Sequence, residues 1–116
     1  MTSIISEGLA DSFAKDVCPD LTPSWINALT TDQEAQQWDT LQEYLRLEDN
    51  MELHHRFFFG DAKNNTPPFT GYSIGYNITR EFIKKRPNIS YDKLVDINPW
   101  EVLEASNYNG KSLISK

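Results

Sequence analysis

The sequence predicts a mainly α domain of about five helices with at most one short strand. Apolar residues recur every three or four positions in successive segments, and residues that start or stop helices bracket those segments. The length sets the scale, since 116 residues suit one domain with a modest core.

The first helix is expected over residues 3–17. Ile5, Leu9 and Phe13 recur every four residues, Ile4 and Val17 extend the stripe, and Thr2 or Ser3 can cap it. Cys18-Pro19-Asp20 ends it, because the residue before a proline is pushed out of the α region. Residues 19–30 read as a linker pinned by Trp25 and Leu29. Thr31-Asp32-Gln33-Glu34 is a capping-box sequence that should start a helix reaching about Leu47, with Ala35, Trp38, Leu41 and Leu45 inward and Glu48-Asp49-Asn50 closing it.

From Met51 to Phe59 the period is ambiguous, and Phe57-Phe58-Phe59 fits either a short strand or a buried helical turn. Residues 60–68 are a loop punctuated by Gly60, two asparagines and two prolines. A further helix runs from Gly71 to about Lys85, with Tyr72, Tyr76, Ile78, Phe82 and Ile83 inward. Glycine inside a helix costs about 1 kcal/mol relative to alanine, so Gly71 and Gly75 imply a groove that another backbone approaches closely. Arg86-Pro87-Asn88 stops this helix. Ser90 caps a short one over Tyr91 to Ile97, and Asn98 caps the last, with Pro99 at its first position and Glu101 three residues after the cap. The end from residue 107 reads as frayed, giving one domain over 1–108 and a flexible tail over 109–116.

A net charge of −6 argues against nucleic acid as a partner, because phosphate demands a positive face. Lys84-Lys85-Arg86 reads as a solvated helix end, where cations suit the dipole. The single cysteine, Cys18, rules out an intrachain disulfide and a multi-cysteine zinc site, and reads as a small apolar residue rather than a nucleophile. No apolar run approaches the roughly 20 residues of a membrane span, and the N-terminus lacks the order of a signal peptide, so a cytoplasmic location is expected. Asn77-Ile78-Thr79 and Asn88-Ile89-Ser90 fit the glycan acceptor pattern, but Asn77 falls within a helix and nothing else suggests secretion.

Glu7 and Asp11 lie four residues apart, on one helical face, in apolar company. Such a pair is costly unless something positive compensates it, and a metal ion is one such partner. The plainer reading is two carboxylates near a helix start, stabilised by the dipole.

Glu7-Gly8-Leu9-Ala10-Asp11-Ser12-Phe13 resembles the EGLA(D/E)xF stretch of the YjaZ-like family of predicted zinc-dependent proteases, which has a zincin character. His55-Arg56-Phe57-Phe58-Phe59-Gly60 resembles its HxxxFG-type segment. Pro68-Phe69-Thr70-Gly71-Tyr72-Ser73-Ile74-Gly75-Tyr76 resembles its P-x-x-GYxxGY stretch. The three segments occur in the family's order and span roughly residues 4 to 108.

The family carries an HExxH helix upstream of the first segment, two histidines for zinc and a glutamate as general base. This sequence has no HExxH, and its two histidines, His54 and His55, are adjacent and cannot act as an i, i+4 pair. The resemblance therefore implies the C-terminal part of a zincin-like domain. It implies Glu7 as the third zinc ligand and Asp11 as the partner of a zinc-ligating histidine. His55 and Tyr72 become candidates to donate to a developing oxyanion, against a reading as aromatic packing; His54 reads as a surface residue and Tyr76 as core. A catalytic zinc needs three protein ligands, so no tight zinc and no activity are expected of this chain alone. In the whole protein the resemblance implies zinc and a peptide or protein substrate. The rival expectation is a non-catalytic helical interaction module whose uncovered face favours a homodimer or a partner chain.

Overall fold

Six α-helices and one short 3-10 turn make up the described part of the computed structural model, which covers residues 2–20, 29–43 and 51–110. The helices are α1 (Thr2–Val17), α2 (Thr31–Gln42), α3 (Met51–Phe59), α4 (Thr70–Lys85), α5 (Tyr91–Leu94) and α6 (Pro99–Ser106). The mainly α expectation holds. The ambiguous Met51–Phe59 segment is a helix, and among the described residues there is no strand; Asp61 and Thr66 form an isolated bridge that closes the loop around the 3-10 turn Ala62–Asn64.

α4 is the centre of the fold. Gly71, Ile74, Ile78, Thr79 and Phe82 are all buried along it, and α1, α2, α3 and α6 pack around it. A helix buried on nearly every side must be a core helix. Its lysine-rich end is solvated as expected, and Lys85 reaches across so that its Nζ donates to the Ser106 carbonyl of α6 at 2.5 Å.

The packing of α1 on α4 departs from the apolar stripe. Ile4 and Ile5 are buried, but Phe13 is 51% and Val17 61% exposed, while Gly8 and Ser12 are buried instead. The reason is the approach distance. A Cβ on Gly8 would overlap the Gly75 carbonyl oxygen, and a Cβ on Gly75 would overlap the Ile4 carbonyl oxygen. With two backbones in contact, small residues form the seam, and the large ones are pushed to its flanks. The groove expected at Gly75 is thus filled by α1, whereas Gly71 faces the Phe58 ring and the Phe57 carbonyl.

Other boundaries shift by local chemistry. Thr30, not Thr31, caps α2: its hydroxyl accepts from the Gln33 amide, and Gln33 Oε1 accepts from the Thr30 amide, closing the capping box one residue early. α5 ends at Leu94 rather than Ile97, with Ser90 as its cap. Asn98 and Pro99 start α6 as read, the Asn98 side chain accepting from the Trp100 amide. The expected fraying from residue 107 fails at Tyr108 and Gly110, both buried, because Tyr108 packs edge-on to Trp38 and Gly110 abuts the same indole. Leu29 is buried as the linker required; Trp25, Leu45, Leu47 and residues 111–116 lie outside the described residues. Cys18 is exposed just past α1.

Candidate functional site

The Gly8–Gly75 contact fixes what stands beside it. Glu7 and Asp11 flank Gly8 on α1, and Tyr72 and Tyr76 flank Gly75 on α4. Glu7 is exposed and Asp11 half-buried, so the pair sits at the edge of the seam and not in the apolar surroundings the sequence suggested. Burial and the charges of Glu7 and Asp11 hold the Tyr72 hydroxyl above the usual phenol range. Glu7 and Asp11 on α1 and Tyr72 on α4 all stand beside the Gly8–Gly75 contact.

The aromatic residues behind Tyr72 fix its ring. Phe58 meets it edge-on with centroids 4.8 Å apart, and Phe69 lies at 6.2 Å. Phe69 caps the start of α4 in the left-handed region, at φ 65°, with no side-chain cap bond. A bulky residue there carries backbone strain. Two bonds hold it: its amide donates to the Phe58 carbonyl at 3.2 Å, and the Ser73 amide donates to its carbonyl at 3.0 Å. The strain lies beside the candidate tyrosine.

His55 is placed differently. It is exposed on α3 with its ring 5.2 Å from that of Phe59. The structure thus brings Glu7, Asp11 and Tyr72 to one seam and leaves His55 against Phe59. The side chain of His54 lies outside the described residues. Tyr76 is buried, and Asn77 is buried too, which leaves no room for a glycan.

One part of this face escaped the sequence. Arg80 Nη1 donates to Ser12 Oγ and to Asp16 Oδ1, both at 2.9 Å, and the Tyr91 hydroxyl donates to Asp16 Oδ2 at 2.5 Å. The guanidinium also lies over the Tyr76 ring, 5.8 Å from its centroid. This network ties α1, α4 and α5 together one turn beyond Asp11. The available signal was the spacing: Gly8, Ser12 and Asp16 continue a single small-and-polar stripe.

Burial works against the Asp16 charge, but the Tyr91 hydroxyl and Arg80 together hold its carboxyl below the usual carboxylate range. A carboxyl depressed in the folded state adds stability above its unfolded value near 3.9 and loses it as pH falls through the lower folded value. The side chain is 41% exposed, so solvent screening limits the contribution to about 0.5 kcal/mol or less. Asp16→Asn should therefore lower the urea midpoint slightly at pH 7 and leave it unchanged near pH 2. An equal loss at both values would show that charge is not what Asp16 contributes.

A family model described as "Predicted Zn-dependent protease (DUF2268)" matches residues 1–104. The chain belongs to the DUF2268 family. No curated protein and no solved structure matches it. The family's name implies zinc, and a catalytic zinc takes three protein ligands. Among the described residues, no group of three or more His, Cys, Asp and Glu side chains could hold a metal ion. Glu7 and Asp11 supply two carboxylates one turn apart, so the donor set described in this DUF2268 chain falls short of a zinc centre. No helix among the described residues is long and apolar enough to cross a membrane.

Proposed function

We propose that this chain is the C-terminal part of a DUF2268 zinc-dependent peptidase and forms one wall of its cleft. The observation that carries this is the convergence of Glu7, Asp11 and Tyr72 at the α1–α4 seam, within a chain matched almost throughout by the family model. On this reading zinc, whose histidine ligands lie in an HExxH helix outside these 116 residues, supplies the activated water for peptide hydrolysis. Glu7, exposed, offers a carboxylate oxygen outward. Asp11, half-buried one turn on, accepts the ring N–H of a histidine and fixes its orientation. Tyr72 keeps its proton, because burial and two nearby negative charges oppose ionisation. A neutral phenol on a rigid helix start is a suitable hydrogen-bond donor to a developing oxyanion.

The experiment is to express a longer chain that includes an HExxH segment and to measure zinc per chain by mass spectrometry. Glu7→Ala should strip most of the metal without unfolding the protein, since the side chain is exposed. Unchanged zinc content would remove Glu7 from the ligand set. Tyr72→Phe should retain zinc and lower kcat by about 10²–10³-fold.

A second reading, a non-catalytic interaction module, draws on Phe13 and Val17, which lie exposed one turn apart on α1, with Val95 64% exposed. Light scattering separates the two. A dimer dispersed by Phe13→Ser and Val17→Ser would support the second reading, and a monomer at millimolar concentration would sink self-association.

A further inference from the structure

We infer that Phe69 is a positioning residue: the ring it carries on a left-handed backbone holds the Tyr72 phenol in one orientation beside the α1–α4 seam. Helix starts favour Ser, Thr, Asp or Asn in extended backbone, with a side-chain oxygen accepting from the first turn. The start of α4 has instead a phenylalanine at φ 65° and ψ 17°, with no side-chain cap bond. Glycine takes this conformation without steric penalty, and asparagine tolerates it. What phenylalanine adds is the ring. Burial accounts for only part of its worth, because the residue is 37% exposed.

The surroundings hold the strained residue on both sides. Thr70, fully buried, donates from Oγ1 to the Pro67 carbonyl at 2.7 Å. Pro68 lies against Gly60, where a Cβ would meet the Pro68 Cα at 3.0 Å. The Phe69 amide is bonded to the Phe58 carbonyl and the Phe69 carbonyl to the Ser73 amide. Strained residues persist only where their neighbours over-determine them, and they cluster at functional sites. The bond to Phe58 means that one turn sets both rings that meet Tyr72, at 4.8 Å for Phe58 and 6.2 Å for Phe69.

Tyr72 needs such a restraint. Within a helix the preceding turn excludes one side-chain rotamer and directs the others. Tyr72 is the third residue of α4, so no helical turn precedes it, and the residue three before it is Phe69. Gly71, its neighbour, has no side chain to confine it. The Phe58 and Phe69 rings supply the restraint that a preceding turn would give. That the fixed phenol serves hydrolysis rests on the proposed function; that Phe69 fixes it does not.

The test has a spectroscopic and a kinetic arm. In this chain, labelled with ¹³C and ¹⁵N, the three-bond couplings to Tyr72 Cγ read its χ1 rotamer. The unaltered chain should show one rotamer. Phe69→Gly and Phe69→Asn, which both accept the left-handed backbone, should average the couplings over several rotamers, whereas Phe69→Tyr, which keeps a ring, should retain one. In a longer chain that includes the HExxH segment, Phe69→Gly should lower kcat about tenfold with KM unchanged, because the phenol acts only in the transition state. In a Tyr72→Phe background the same change should lower kcat no further, since Phe69 acts through the phenol. A single Tyr72 rotamer in both Phe69→Gly and Phe69→Asn would overturn the inference, as would an equal further loss of kcat on top of Tyr72→Phe. If Tyr72→Phe by itself leaves kcat unchanged, the proposed role of the phenol falls, and the couplings still decide what Phe69 does.

Discussion

Gly8→Ala and Gly75→Ala should each destabilise the fold by about 2–4 kcal/mol, although alanine gains about 1 kcal/mol of helix propensity over glycine. The added methyl has nowhere to go. At Gly8 it would overlap the Gly75 carbonyl oxygen and lie 2.7 Å from Thr79 Oγ1; at Gly75 it would overlap the Ile4 carbonyl oxygen. The carbonyl oxygens are helix backbone, and Thr79 Oγ1 is held against it, donating to the Gly75 carbonyl at 2.9 Å. Relief requires α1 to part from α4, which uncovers Ile4 and Ile5 and moves Glu7 away from Tyr72. Gly71→Ala is the control. Its methyl would meet the Phe58 ring at 3.0 Å and the Phe57 carbonyl oxygen at 3.2 Å, a contact the ring can partly relieve. A loss of about 1 kcal/mol or less is expected there. Urea denaturation of the three variants checks this. Losses below about 0.5 kcal/mol at Gly8 and Gly75 would mean the helices do not touch as described.

Glu34→Ala should cost about 3 kcal/mol. Glu34 is 1% exposed, and its Oε2 accepts from the Tyr108 hydroxyl at 2.5 Å and from Asn77 Nδ2 at 3.2 Å. Removing the carboxylate leaves two buried donors without their acceptor, and each such group costs roughly 1–3 kcal/mol. Tyr108→Phe removes one donor and should cost about half as much. The double variant should fall short of the sum, because both changes break the same bond. Burial and the neighbouring Glu34 charge push the Tyr108 hydroxyl up, so it remains protonated and donating throughout the folded range. Thermal or urea unfolding decides the matter; an additive cycle would show that the bond contributes no coupling.

These two predictions also mark how far the sequence could be read. α4 was legible because its apolar spacing is strong and Arg86-Pro87 stops it cleanly. α6 was legible because Asn98-Pro99 is an unambiguous start. In the sequence Glu34 stands only as part of a capping box, yet it is the buried acceptor that joins α2, α4 and the segment after α6. Helical periodicity ranks positions by hydropathy, so it assigns a glutamate to solvent unless its partners, here 43 and 74 residues away, are known. Tyr108 is likewise buried by partners far away in the chain, Trp38 and Glu34.

The candidate site divides along the same line. Glu7 and Asp11 share a helical face by their spacing, and that alone follows from the chain. Their place at the edge of the seam, Glu7 exposed and Asp11 half-buried, follows from how closely α1 approaches α4, and His55 lies apart against Phe59 of its own helix.

The helical class, most helix boundaries and the likeness to a family of predicted zinc-dependent proteases are legible in the chain, because caps, periods and motifs act over a few residues. Which face of α1 is buried depends instead on how closely α1 meets α4. Hydropathy favoured Phe13 and Val17, but backbone contact at Gly8 and Gly75 admits only small side chains, and steric fit outweighed the apolar stripe.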